Sequence, residues 1–240
     1  MRFMVMHKVD ATMEAGGPPS QEIIRSMGAL VQGSLKEGTF TTGAGLHRSA
    51  KRARIESSTS SVTRGPYAGT NELVASFAMI KAKSLDEAIE RARQLSRVLG
   101  DVEVEVGPVV EPWDLGVAPK PAGELPGRFL LLCKGNQATE SGAEPSVERR
   151  AAVAKLLATL KEEGVLILSD YLAPSSRGAR LSATKPGAKR TWTDGPFTES
   201  KELIAGFSVL NVPSRADAIA WADRYAAILV GNEIDVRELS

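Results

Sequence analysis

The sequence predicts an α+β fold in which two tandem ferredoxin-like domains form an intramolecular pseudo-dimer. Three observations predict it: a repeat that covers most of the 240 residues, the order of helix and strand patterns in each copy, and a stretch rich in proline and glycine between the copies. We place the domains at 1–114 and 128–240 and the linker at 115–127. A chain of this length suits two domains of ordinary size.

The repeat is clearest in two pairs of segments. Residues 2–8 read RFMVMHK and residues 128–134 read RFLLLCK, an offset of 126. Residues 65–67 read GPY and residues 195–197 read GPF, an offset of 130. The additional residues are expected at 185–188, where a Pro-Gly pair indicates a turn that tolerates insertion.

Each copy shows the same order of elements. Apolar residues at helical spacing predict a helix between Ser20 and Gly38, repeated between Ser146 and Gly164, and a second helix starts after a capping serine in each copy. Short apolar or alternating runs predict strands. In the first copy these runs are 2–8, 39–43, 53–59, 73–81 and 102–106. The order β-α-β-β-β-α-β is that of a ferredoxin-like sandwich.

In the first strand of each copy, the side chains that point to either face are mainly apolar, so both faces of the strand should be covered. A ferredoxin-like sheet has helices on one face, and we expect the other repeat to cover the second face. We expect the linker to span the two sheets. Two interpretations stay open: a functional cleft between the sheets, or sheets packed only for stability.

Composition argues against several function classes. The chain has 30 basic and 29 acidic residues, which gives no global charge for nucleic acid or an anionic membrane. Its one cysteine, Cys133, allows no internal disulfide and no cysteine-based zinc site. The apolar start is too short for a signal peptide or a membrane span. We therefore expect a cytoplasmic protein that needs no metal and no cofactor and binds neither nucleic acid nor membrane.

A family resemblance comes from residues 192–202, which read WTDGPFTESKE and are followed by Gly206 and Phe207. This run resembles the signature of the YCII-related, DGPF-type family, and the resemblance covers 128–239. The first copy matches more loosely, with Arg64 in place of the aspartate and Tyr67 in place of the phenylalanine.

The resemblance implies a ferredoxin-like fold that pairs through its sheets, as in dimeric α/β barrels. Some members of the family resemble lyases or dehydrochlorinases that act on small aromatic compounds through a His-Asp pair. Others sit beside extracytoplasmic-function sigma factors and have no assigned activity. The resemblance therefore implies the fold and leaves the reaction open.

Polar residues that differ between the copies are our candidates for chemistry. Asp194 is a candidate acid or base at the Asp-Gly-Pro turn, with turn capping as the alternative. We expect Arg64, its counterpart, to meet Asp194 across the cleft and to hold a polar or anionic ligand. Tyr67 and Phe197 follow the two turns and are candidate substrate contacts.

The histidines and their counterparts form a second group of candidates. His7 on the first strand is a candidate acid or base, with a satisfied core histidine as the alternative. Asp170 is a third catalytic candidate. His47 and Tyr171, which we align with each other, are candidate substrate contacts. Cys133 stands opposite His7 and is expected to pack as a small hydrophobic residue.

Basic residues cluster on both predicted hairpins, and we interpret them as solvated charges on a β-ribbon. Nucleic-acid binding is the alternative that the balanced net charge disfavours. The clusters are Arg48, Lys51, Arg52 and Arg54 in the first copy and Arg177, Arg180, Lys185, Lys189 and Arg190 in the second.

Two functional hypotheses follow. In the first, Asp194, His7 and Asp170 carry cofactor-independent acid/base chemistry, such as elimination or isomerisation, on a small organic molecule in the cleft. In the second, the protein is a non-catalytic ligand-binding or regulatory module, for example a partner of a sigma factor. A homo-oligomer is compatible with both.

Overall fold

The computed structural model describes residues 1–70, 72–123, 125–182, 188–197 and 203–240. The first repeat contains β1 (Arg2–Lys8), α1 (Ala11–Glu14), α2 (Gln21–Lys36), β2 (Phe40–Leu46), β3 (Ala53–Glu56), β4 (Val62–Arg64), β5 (Val74–Ala82), α3 (Leu85–Leu99) and β6 (Glu103–Val110). The second repeat contains β7 (Gly127–Lys134), α4 (Gln137–Glu140), α5 (Val147–Glu162), β8 (Leu166–Tyr171), β9 (Ala179–Leu181), β10 (Trp192–Asp194), β11 (Ile204–Asn211), α6 (Arg215–Ile228) and β12 (Ile234–Glu238).

This arrangement confirms the predicted α+β class and the repeated order of elements. The hydroxyl of Ser20 accepts a hydrogen bond from the amide of Ile23 at the start of α2, and Gly38 ends the helix with φ 70°. Ser146 and Gly164 do the same for α5. The short elements α1, α4, β4 and β10 were not predicted, because three or four residues are too few to show a period. The expected insertion at 185–187 lies outside the described residues.

The two repeats exchange their first strands. β1 lies between β11 and β12 of the second repeat, and β7 lies between β5 and β6 of the first, all antiparallel. The strands that follow obey the same exchange, since β2 pairs with β11 and β8 pairs with β5. Each half of the structure therefore combines the beginning of one repeat with the end of the other.

The linker explains the exchange. β6 and β7 are neighbouring antiparallel strands, so the linker returns the chain within one sheet instead of spanning two sheets as we expected. Arg128 at the start of β7 makes two hydrogen bonds to Glu111, at 2.8 and 2.6 Å, and holds the base of this loop together. Because β7 occupies the central place beside β6, β1 takes the equivalent place in the other sheet.

In the described part of the chain, the strands form two six-stranded sheets that touch at both edges. Sheet one has the order β10-β9-β12-β1-β11-β2 and sheet two has the order β4-β3-β6-β7-β5-β8. β2 pairs with the end of β6 at one seam, and Leu172 pairs with Leu239 at the other. Eight of the strands thereby form a closed ring.

Helices cover the outer face of each sheet. α2 and α6 pack on sheet one, and α3 and α5 pack on sheet two, each over its own apolar core. A third core fills the space between the sheets. Among the described residues, no helix is both long and apolar enough to cross a membrane.

Replacing Met79 by alanine tests the core between the sheets. Met79 is fully buried there, and we expect the change to lower the free energy of unfolding by about 2–5 kcal/mol. The control is Leu125→Ala, at an exposed leucine of the linker, which should stay within about 0.5 kcal/mol. Urea unfolding of both variants measures this, and equal stabilities would contradict a packed core.

Cutting the chain in the linker tests the strand exchange. Co-expressed fragments 1–120 and 121–240 should purify as a one-to-one complex, because each supplies the central strand of the other's sheet. A tag on one fragment and size-exclusion chromatography measure this. Two fragments that elute as separate folded monomers would show that the exchange is not needed.

Candidate functional site

The middle of the space between the sheets, where we expected a cleft, is filled by apolar side chains. Phe77 and Phe207 face each other with ring centroids 6.0 Å apart, and both are almost fully buried. The methionines Met4, Met6 and Met79 pack in the same core. The structure thus favours the interpretation in which the sheets pack for stability, and a ligand site has to be sought elsewhere.

Polar residues, most of them shared by the repeats, form a buried ion network in each half. Network one joins Lys134, Glu105, Arg54, Glu72 and Arg52, which are all nearly inaccessible to solvent. Burial opposes ionisation of Glu105, but the three cations beside it outweigh burial and lower its pKa to about 2. The Glu105 carboxylate is therefore ionised at neutral pH, among three basic side chains and one further carboxylate.

Network two is the counterpart around Asp235. Arg180 binds its carboxylate with two hydrogen bonds, at 2.6 and 2.9 Å, and Lys8 lies 3.4 Å away. Burial raises the pKa of Asp235, and the cations lower it by more, so the net shift is downward. Our interpretation of the hairpin arginines as solvated was therefore wrong for Arg52, Arg54 and Arg180, because carboxylates at the repeat's own strand ends bind them in the interior.

The Gly-Pro-aromatic turn covers each network. The ring of Tyr67 lies over the Arg54 guanidinium at 4.1 Å, and Phe197 lies over Arg180 at 4.5 Å. A Cβ atom on Gly195 would overlap the carbonyl oxygen of Ser175, so the close approach of the turn requires glycine. The predicted contacts Tyr67 and Phe197 are thus partly buried, each over an arginine of a network. The rest of the motif, 198–202, lies outside the described residues.

One arginine has changed position between the halves. Arg52 donates to the carbonyl of His47 at one seam, and Arg237 donates to the carbonyl of Ala173 at the other. By the repeat offsets, Arg52 corresponds to Gly178 and Arg237 to Gly107. Gly107 lies against Arg52, and Gly178 lies against Arg237. A Cβ atom added to either glycine would lie within 2.9 Å of that arginine side chain. An arginine therefore binds the equivalent carbonyl in both halves, but it comes from the segment before β3 in one half and from β12 in the other.

Asp194 and Arg64 do not meet, contrary to our expectation. Asp194 forms an ion pair with Arg215 at the start of α6, and its side chain is 78% exposed. Arg64 forms an exposed ion pair with Asp86 at the start of α3. Each of these residues thus connects its turn to the helix of its own half through an ion pair. The signs of the two charges are reversed between the copies, but the ion pair is kept.

His7 occupies a buried position under α6. Its Nδ1 and the hydroxyl of Tyr225 share a hydrogen bond of 2.7 Å. Burial lowers the pKa of His7 to about 4, and the nearby charges of Asp10 and Arg52 make smaller, opposing contributions. His7 is therefore neutral at neutral pH and has a partner inside the protein, as a core histidine does.

The remaining candidates also lie apart. Asp170 points from β8 toward the other sheet and forms an ion pair with Arg2, five residues before His7 on β1, or roughly 17 Å along the strand. His47 Nε2 lies 3.3 Å from Asp114, the residue just before the linker. The structure therefore does not bring Asp194, His7 and Asp170 together as one catalytic group.

Strand register corrects one alignment of the repeats. Tyr171 is opposite Ser76 in β5, and the equivalent partner of Gly206 in β11 is Gly45. Tyr171 therefore corresponds to Gly45 and not to His47. The polar row Cys133, Ser76 and Tyr171 crosses sheet two where His7, Gly206 and Gly45 cross sheet one.

This row belongs to a larger difference under the helices. In the α2–α6 half, rings in contact form what we call the aromatic column: Phe40, Trp221 and Tyr225 are stacked, and His7 meets Tyr225 edge-on. The repeat offsets place Leu166, Arg91, Leu95 and Cys133 at the corresponding positions of the α3–α5 half. Smaller or outward-pointing side chains there leave space that the rings fill in the other half.

That space is a cavity of about 100 Å³, the α3–α5 cavity, between the two helices and sheet two. Its apolar wall includes Leu95, Leu99, Val153 and Leu157, and its polar side chains are those of Ser76, Ser169 and Tyr171. Tyr171 is 42% exposed and opens the cavity to solvent. Asp170 lies on the same strand, but alternation turns its side chain to the opposite face.

The sequence contained a signal for this cavity that we did not use. Leu95 in place of Tyr225 is a difference in side-chain volume, whereas our candidates were chosen among polar residues. Among the described residues, no three His, Cys, Asp or Glu side chains are placed to hold a metal ion. Burial raises the pKa of Cys133 to about 11, which disfavours its thiolate.

Exchanging Arg52 and Gly107 tests the arginine contact. Arg52→Gly should cost about 3–5 kcal/mol of unfolding free energy, because it leaves buried charge without its partner. Adding Gly107→Arg should recover part of that loss, since Gly178 and Arg237 form the equivalent contact. Arg64→Gly, in an exposed pair, is the control and should cost at most about 1 kcal/mol. A double variant no more stable in urea than Arg52→Gly would contradict the equivalence.

Comparison with known proteins agrees with this internal duplication. A family model described as the YCII-related domain matches residues 1–111 and again 127–239. Comparison with curated proteins gave no match, and comparison with solved structures gave none. Because the two matched segments span nearly the whole chain, this protein belongs to the YCII-related family as a tandem two-domain member.

Proposed function

We propose that this protein binds a small uncharged organic molecule in the α3–α5 cavity without converting it. The observation that carries the proposal is the cavity itself, which is lined by Leu95 where the other half has Tyr225 of the aromatic column. Within the residues that the structure describes, the site is present in one half of the molecule and not in the other. This explains why the side chains under the helices differ between the repeats while the ion networks are similar.

The lining indicates the class of ligand. The apolar wall favours a hydrocarbon ring or short chain, and a volume of about 100 Å³ limits its size. A cavity of roughly 150 Å³ accommodates benzene, so a phenol-sized molecule would extend toward Tyr171. The polar side chains at that end are hydroxyls, which pair with a neutral hydroxyl or carbonyl group.

Binding has more support than acid/base catalysis. Among the described residues that line the cavity, Tyr171 is poorly suited to proton transfer near neutral pH because burial raises its pKa. Asp170 is held by Arg2, and His7 lies in the other half with Tyr225. Elimination or isomerisation remains the less supported hypothesis. A protein partner such as a sigma factor stays a prediction from the resemblance.

Filling the cavity tests the proposal. Phenol and cyclohexenone should bind the wild-type protein saturably in NMR titrations, and both compounds should be recovered unchanged after long incubation. Leu95→Tyr, which copies Tyr225, should weaken binding at least about tenfold, a loss of about 1.4 kcal/mol. Val147→Tyr, at an exposed position of α5, is the control and should bind as wild type does.

Three outcomes count against the proposal. Absence of saturable binding would remove the ligand site. Equal binding by Leu95→Tyr would place the ligand elsewhere. Conversion of either compound by the wild-type protein would favour the enzyme hypothesis instead.

A further inference from the structure

The α2–α6 half has a different open space, at the junction of α2 and α6. We call it the Trp221 groove, and its volume is about 370 Å³, within the range of small-molecule sites. Its lining residues come from the end of α2, the start of β2 and the first turns of α6. They are Glu37, Thr39, Val212, Pro213, Asp217, Ala220, Trp221 and Arg224.

The other half shows what occupies the equivalent place. There Arg91 of α3 reaches the C-cap residue of α5, and its Nη2 lies 2.8 Å from Oε2 of Glu163. By the repeat offsets, Arg91 corresponds to Trp221 and Glu163 to Glu37, which is the C-cap residue of α2. A guanidinium on a glutamate therefore fills this position in one half.

Trp221 cannot make that contact because it is turned inward. Its indole Nε1 donates to the hydroxyl of Ser34 at 2.8 Å, and its ring stacks on Tyr225 in the aromatic column. Only 2% of the residue is exposed. Within the described part of the chain, Glu37 has no side-chain hydrogen bond or ion pair, so its carboxylate is available at the groove wall.

The groove has charges of both signs. Asp217 adds a second carboxylate, and Arg224 contributes a guanidinium where the other half has the neutral Gln94. A ligand with a cationic end and an anionic end would match both walls. Burial of the Trp221 ring beneath them gives the groove an apolar floor.

We propose that the Trp221 groove binds a small guanidino acid, with its guanidinium on Glu37 and its carboxylate on Arg224. Glu37 pairs with the ligand as Glu163 pairs with Arg91, and the planar guanidinium matches a carboxylate with two parallel hydrogen bonds. This site shares no lining residue with the α3–α5 cavity, so it does not depend on the proposed function.

Matched ligands test the chemistry. L-Arginine should bind the full-length protein saturably in isothermal titration or NMR titration. Citrulline has the same shape with an uncharged urea, and we expect at least about tenfold weaker binding, because its hydrogen bonds to Glu37 would no longer be between two charged groups. Agmatine lacks the carboxylate and tests the role of Arg224. Affinity for arginine should fall as salt is raised.

Matched variants test the position. Glu37→Gln is at an exposed helix end and should fold normally, yet lose arginine binding at least about tenfold. Glu163→Gln changes the equivalent residue of the other half and should leave binding unchanged. Binding of citrulline equal to that of arginine, no effect of Glu37→Gln, or no saturable arginine binding would each overturn the proposal. None of these results bears on phenol binding in the α3–α5 cavity.

Discussion

The burial of β1 and β7 on both faces is the constraint on which the rest of the structure depends. A strand that is apolar on both sides needs a layer of helices on one face and another sheet on the other. The linker returns the chain beside β6, so β7 fills the central place of sheet two and β1 must fill that of sheet one. Neither repeat completes a sheet alone, and the two sheets close on each other around a shared apolar core.

Within this frame, residues that the repeats share and residues that differ have separate roles. Shared lysines, arginines and carboxylates form the buried ion networks beneath the Gly-Pro-aromatic turns, where each charge depends on its partners. Differences concentrate under the helices, where one half has the aromatic column and the other has smaller side chains. Both open spaces follow from that difference: the α3–α5 cavity lies where rings are missing, and the Trp221 groove lies where a ring has turned inward.

The sequence predicted the helices and strands well, but it predicted poorly which charged side chains pair with each other. The capping serines, Gly38 and Gly164 marked helix ends correctly because caps act within one turn of chain. Asp194 and Arg64 were expected to meet because they differ in charge at equivalent turns. They do not, since each turn lies beside the helix of its own half and finds an opposite charge there. Arg54 and Arg180 looked solvated because their carboxylate partners are distant in sequence.

The sequence by itself determined the duplication, the order of elements and the two-sided burial of the first strands, because these are written in local periodicity or in the repeat. The family was indicated by the resemblance of residues 192–202 to its signature. Only the tertiary structure decided which repeat each first strand joins, which charges pair, and where space remains. Those features depend on contacts between segments far apart in the chain, such as His7 with Tyr225. They also depend on differences of side-chain volume, which become cavities only when both helices and the sheet are in place.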